Sequence, residues 1–197
     1  NPQKPSMEVL DSPSNVDLAR RAAYASVTLR DPANPAVLEA EAPVLLVHPG
    51  VDPQKRGVNP AEVLGPILEK AGHRVYEQAW GASEAEGGPW RGSSAVLESM
   101  RAEVGEPSEA VVVLRDAWKD DLPVAEVIEE LAGSGLKVHV VVTRSPYEAA
   151  AVDPAHPLLF TYGDNFYAVE AAGNVLTGAT KAPGTLPMDI GAQGENR

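Results

Sequence analysis

Cysteine is missing from this sequence altogether. That absence removes disulfides, thiolate metal sites and thiol nucleophiles at once. It leaves the compartment open, with cytoplasm and export both compatible. Cations are scarce beside acids: 16 Lys and Arg stand against 28 Asp and Glu, for a formal charge of −12. Binding to a phosphate backbone draws most of its affinity from cations, so no nucleic-acid partner is expected. An acidic membrane surface repels such a chain for the same reason. Apolar runs are short. None reaches the roughly 20 residues of a membrane helix, and no charged-then-apolar leader opens the chain. The first residue is Asn1 rather than Met, which sets the expectation of a missing upstream portion; a processed secretory precursor would look the same.

What is present is the material of one globular domain. With 197 residues, 44% of them hydrophobic, a compact fold would bury roughly 70% of the surface its unfolded chain exposes. Residues 1–15 are rich in proline and serine and read as a linker or arm. Residues 16–191 carry the domain, and 192–197 form a tail. A helix is expected over Val16–Leu29, capped by Ser14 or Asn15, with an alanine-rich face (Ala19, Ala22, Ala23, Ser26) suited to close packing. Strand and helix signals then alternate. Val44–Val47 and Ala110–Leu114 are continuous apolar runs of the kind buried on both faces of a parallel sheet. Val138–Thr143 and Leu158–Tyr162 follow as further strands, and the less apolar His73–Gln78 suits an edge. Asn59-Pro60-Ala61-Glu62 reads as a helix start, and Ser93–Val104 as a further helix. The next helix is expected to be capped by Asp120 or Asp121, and the last spans Asp164–Thr177. Such alternation implies right-handed crossovers. The expected fold is a three-layer α/β/α sandwich with a mostly parallel sheet of five or six strands.

Ligands of such sheets sit at the carboxyl ends of the strands, so the loops there are the expected place for chemistry. Lys55 and Arg56 precede the helix that starts at Pro60 and are candidates for holding an anion at its N-terminus. Neither G-x-G-x-x-G nor a P-loop accompanies them, so a solvated loop is the plainer reading. Trp80 and Trp90 enclose Glu84 and Glu86, the only candidates for catalytic carboxylates, because glycoside hydrolysis needs a pair of acids and flat rings stack on sugars. Asp116, Asp120 and Asp121 lack calcium-loop spacing. His48, His73, His139 and His156 form no metal-ligand pattern, and no G-x-S-x-G elbow is present. No metal site and no cofactor is expected.

The last quarter of the chain is more specific. It holds, in order, Val141-Val142-Thr143-Arg144-Ser145-Pro146-Tyr147-Glu148, then Tyr162-Gly163, then Gly184-Thr185-Leu186-Pro187-Met188-Asp189-Ile190. Upstream stands Ala22-Ala23-Tyr24-Ala25-Ser26-Val27-Thr28-Leu29-Arg30. This ordered set resembles the C-terminal α/β domain of family 3 glycoside hydrolases, in the bacterial β-N-acetylglucosaminidase branch, over about Val16–Ile190. Ser145 and Glu148 depart from that pattern, which has Asn and Asp there. The resemblance implies a catalytic TIM barrel in the same parent polypeptide, carrying an aspartate nucleophile and a histidine acid. No Lys-His…Pro-Gly-His-Gly segment occurs here, and a barrel needs about 250 residues of its own. It further implies an amino-sugar substrate reached only through the whole enzyme, in peptidoglycan or chitin fragments. The chain would then be an accessory, non-catalytic domain whose barrel contacts include Trp80, Trp90, Arg144, Tyr147 and Tyr162. The rival is a free-standing flavodoxin-like module that binds a sugar or small anion through Lys55, Arg56 and the tryptophan loop. A third reading gives the chain weak glycosidase activity on its own.

Overall fold

The computed structural model of the protein describes residues 12–50, 58–81, 87–117, 119 and 121–187. Its sheet is built from β1 (Thr28–Leu29), β2 (Pro43–His48), β3 (Arg74–Ala79), β4 (Glu109–Arg115), β5 (Lys137–Thr143) and β6 (Leu158–Phe160), in the order β1-β6-β5-β4-β2-β3. β2 to β6 are mutually parallel, and only β1 runs antiparallel, pairing Thr28 with Phe160 and Leu29 with Leu159. Around it stand α1 (Pro13–Ser26), α2 (Pro60–Lys70), α3 (Ser93–Glu103), α4 (Val124–Gly133) and α5 (Phe166–Leu176), plus a 3-10 segment, Pro146–Ala151. This is the three-layer α/β/α sandwich the alternation implies.

The continuous apolar strands explain the layering. Successive side chains point to opposite faces, so Leu45, Val47, Val112 and Val140 meet α3 and α4, while Val44, Leu46, Val111 and Val141 meet α2 and α5. β3, with its exposed Arg74 and Glu77, is an edge strand, as expected. α2 begins as its sequence dictates: Pro60 takes the first position and Asn59 Oδ1 accepts from the Ala61 N–H at 3.1 Å. Gly173 lets α5 approach α2 closely, because a Cβ there would lie 3.0 Å from Ile67 and 3.2 Å from Leu64.

Several boundaries differ from expectation, each for a local reason. α1 starts at Pro13 and stops at Ser26, because Thr28 and Leu29 leave the helix to pair with β6. Its cap position is Ser12, whose side chain makes no capping bond, not Ser14 or Asn15. The alanine face is not packed either, since no residue of α1 is buried. The helix is held to α5 by polar contacts instead: Arg20 to Glu170 at 3.1 Å, Arg20 5.3 Å from the centre of the Tyr167 ring, and Asn174 Nδ2 to Tyr24 Oη at 2.6 Å. α4 starts at Val124 with Pro123 in the cap position. Helical backbone is disfavoured immediately before a proline, so no aspartate cap at Asp121 is used. β6 ends at Phe160, and α5 starts at Phe166 under an Asn165 cap that bonds the Ala168 N–H at 3.1 Å.

At the amino ends of the strands, Glu109 and His139 are fully buried together, with Glu109 Oε1 3.1 Å from His139 Nε2 and Oε2 accepting from the Glu39 N–H at 2.8 Å. Burial alone would raise the Glu109 pKa. The bonds from His139 and Glu39, with the nearby Lys137, outweigh burial and lower it. This pair ties β4 to β5 near the amino ends of the strands, remote from their carboxyl ends.

Candidate functional site

At the carboxyl ends of three adjacent strands the backbone turns in the same unusual way. β4, β5 and β6 are followed by Asp116 (φ 56°), Arg144 (φ 64°) and Tyr162 (φ 54°), all left-handed non-glycine residues. Such conformations cost on the order of 1 kcal/mol or more each and persist only where the surroundings enforce them. Here the enforcement is electrostatic. Arg144 Nη1 lies 2.9 Å from Asp116 Oδ2, its Nε lies 3.8 Å from Asp164 Oδ2, and Lys119 Nζ lies 3.0 Å from Asp116 Oδ1. Tyr162 stacks on Phe160 with ring centres 5.9 Å apart.

Glu148 holds this cluster from below. It is 3% exposed, and its Oε1 accepts from the Asp116 N–H at 2.6 Å. The Ala117 N–H also bonds this carboxyl, while Oε2 has no hydrogen-bond partner among the described residues. Burial pushes the carboxyl up to about 7, against the pull of the two amide bonds and of Lys119 and with the push of Asp116. A carboxyl near neutrality, next to a charged triad at a strand end, is the most strongly perturbed titrating group of this face.

The topological switch point lies between β2 and β4, where the crossovers change direction. Arg115 occupies it. Its guanidinium donates to Gly50 O at 3.0 Å and Val58 O at 3.1 Å, bridging both sides of the loop after β2. Beside it His48 is 5% exposed; burial lowers its pKa, a hydrogen bond with Pro49 O opposes, and Arg115 adds to the lowering. The crevice therefore holds a cation already bonded to protein carbonyls. Lys55, Arg56, Glu84 and Glu86 lie outside the described residues.

The aromatic candidates separate into two groups. Trp80 is 3% exposed and belongs to the core over α3 and α4. It meets Trp90 edge to face at 6.2 Å, and Trp90 Nε1 donates to Glu130 Oε2 at 2.8 Å. Glu130 Oε1 in turn accepts from the Ser93 N–H at 2.7 Å. The two tryptophans thus brace α3 against α4, and Trp80 turns its ring into the chain's own core. Arg144, Tyr147 and Tyr162, by contrast, gather at the ends of β5 and β6, and Tyr147 is 70% exposed. The tail motif joins the same end: Gly184 N–H donates to Val27 O at 2.9 Å, and a Cβ on Gly184 would stand 2.8 Å from that oxygen. Its Met188-Asp189-Ile190 continuation lies outside the described residues. Among the described residues no group of acids and histidines could hold a metal, and no helix is long and apolar enough to cross a membrane.

No protein-family model and no curated protein matches the sequence. Solved structures do. A glycoside hydrolase family 3 β-N-acetylglucosaminidase from Paenibacillus sp. superposes with a TM-score of 0.68 at 27% identity, over 95% of this chain and 35% of that one. A fungal multi-domain β-N-acetylglucosaminidase of the same family gives 0.65 at 15% identity, over 94% of this chain and 21% of that one. A β-glucosidase from Listeria innocua gives 0.60 at 17% identity, over 91% and 28%. The chain is therefore similar in structure to one portion of two family 3 β-N-acetylglucosaminidases and of a β-glucosidase, and spans only about a third or less of their length.

Proposed function

We propose that this chain is the accessory, non-catalytic α/β domain of a family 3 β-N-acetylglucosaminidase-like hydrolase, and that it docks on a catalytic barrel of the same parent polypeptide. The observation that carries the reading is the superposition on the Paenibacillus enzyme, nearly complete for this chain and about one third for that one. The whole enzyme would remove terminal N-acetylglucosamine from peptidoglycan or chitin fragments. In this reading the strand-end cluster of Asp116, Arg144 and Asp164 forms the docking face, with Tyr147 beside it. Arginine and aromatic residues are the anchors that interface centres favour. The polar α1 gives the second contact, because none of its residues is buried within the chain. Lys55, Arg56, Glu84 and Glu86 take no part in the chemistry.

Association in solution tests this. A family 3 barrel deprived of its own second domain should bind the 197-residue chain and slow backbone hydrogen exchange at 144–147 and 162–164. Arg144→Ala should weaken the complex about tenfold or more, the usual scale for a charged anchor. Full-strength binding by that variant, or protection confined to β3, would contradict the docking face.

A further inference from the structure

The sheet is open along β3, and the backbone there shows which groups lie free. The Trp80 N–H donates to His48 O at 2.9 Å, so the even-numbered residues of β3 turn their amides and carbonyls toward β2. By alternation Val75 and Glu77 turn theirs outward. No described segment pairs with that side. The carboxyl end is covered: Gly87 packs on the Ala79 backbone where no Cβ would fit, and Ala79 O accepts from Gln78 Nε2 at 2.6 Å. Residues 74–78 remain as an open template, about 17 Å of strand. Its two faces differ. On the α2 side Glu77 lies against the helix, its Oε1 2.8 Å from where a Cβ on Gly65 would stand. Glu62 and Glu69, seven positions apart on one stripe of α2, project beside it, and all three are exposed. Partial burial, then the charges of Glu69 and Glu62, raise the Glu77 pKa. Among the described residues none of the three is ion-paired. On the α3 side Gln78, Arg91, Ala95, Val96 and Ser99 line a hollow of about 70 Å³, room for one small side chain.

We propose that the β3 edge binds an extended segment of a partner protein in which lysine or arginine alternates with small polar residues. The segment adds a strand through Val75 and Glu77. Its cations lie over Glu62, Glu69 and Glu77, and a small side chain turns into the hollow at Arg91. Strand addition of this kind draws affinity from main-chain bonds and specificity from alternate side chains. Charge selects the occupant. Edge charges ordinarily keep strands apart, and acids of one sign do so for every strand except a cationic one. A second copy would bring the same carboxylates and a formal charge of −12 to the same edge, so self-pairing is opposed. A metal ion is not served, because among the described residues no three acids or histidines could hold one. Arg74, the cation of this strand, points to the opposite face from Glu77 and lies beside Gly105, so it leaves the acidic side unneutralised. Neither the edge nor its acids enters the accessory reading, whose docking face lies at the strand ends.

The test is a titration of the isotopically labelled 197-residue chain with an end-capped peptide of four Lys-Thr repeats, beside the matching Glu-Thr peptide. Lys-Thr should slow hydrogen exchange of the Val75 and Glu77 amides about tenfold or more, and leave Tyr76, whose amide faces β2, little changed. Glu-Thr should give no saturable shift. The fully N-methylated Lys-Thr peptide keeps its charge but cannot donate to the edge, and it should bind about tenfold more weakly. Glu62→Lys combined with Glu69→Lys changes only exposed helix positions. That variant should still melt cooperatively, lose about tenfold in affinity for Lys-Thr and accept Glu-Thr. Equal binding of the two peptides by the parent chain, undiminished binding of the N-methylated form, or protection that falls on Tyr76 in place of Val75 and Glu77 would each overturn the proposal. So would concentration-dependent protection of those two amides in the chain alone, which would make the occupant a second copy.

Discussion

Glu148 shows what a single side chain does here. Its folded pKa is about 7, against about 4.3 for a free glutamate. A carboxyl raised by folding contributes stability that is complete below the unfolded pKa and is lost as pH climbs through the folded one. The loss spans about pH 4 to 7 and totals roughly 3 kcal/mol. Glu148→Gln carries no such titration. Its melting temperature relative to the parent should therefore rise steadily across that window, and parallel pH profiles for the two proteins would refute the burial argument. Little of this was legible in the sequence. Arg144, Tyr147 and Tyr162 stand in recognisable motifs, but Glu148 showed itself only as a departure from aspartate. Its partner, the Asp116 N–H, lies 32 positions away, and local patterns carry no record of such a contact. The left-handed turns at Asp116, Arg144 and Tyr162 are equally silent, because glycine is the usual signal for them and is absent there.

At the level of elements, the cap of α3 comes from elsewhere in the chain. Gly92 occupies the cap position and offers no side chain, so Glu130 on α4 reaches across to the Ser93 N–H and also takes the Trp90 indole. That amide bond, then the indole bond, hold the Glu130 pKa below the carboxylate range. A depressed carboxyl stabilises above its unfolded pKa, and the contribution disappears as pH falls through the folded value. Glu130→Ala should cost about 1 kcal/mol, the usual worth of a helix cap, measured by denaturant unfolding at pH 7. The deficit should shrink in strongly acidic buffer, and a constant deficit would mean that packing alone is lost. Strands were the readable elements, since Val44–Val47 and Ala110–Leu114 are apolar without interruption and only a sheet covered on both faces accommodates that. Helix ends were harder. Asp120 and Asp121 offered an attractive cap, yet Pro123 set the start of α4. The helical pattern through Leu29 gave way to pairing with β6, a contact between segments some 130 positions apart in sequence.

Considered whole, the molecule is two-sided. The amino ends of its strands are closed by the buried Glu109–His139 pair, while the carboxyl ends expose Arg144 and Tyr147 above an open cavity. The switch-point crevice that a flavodoxin-like binder would use holds Arg115, bonded to Gly50 and Val58 carbonyls. The tail motifs made the likeness to family 3 enzymes legible from the sequence, whereas Trp80, expected at a barrel contact, is buried in the chain's own core.

Hydrolysis decides the matter most directly. The purified chain should release no nitrophenol from 4-nitrophenyl N-acetyl-β-D-glucosaminide, and adding it to a weakly active family 3 barrel should raise the barrel's turnover. Steady release by the chain alone, abolished by changing one of its own carboxylates, would show that the bond-breaking groups reside in these residues after all.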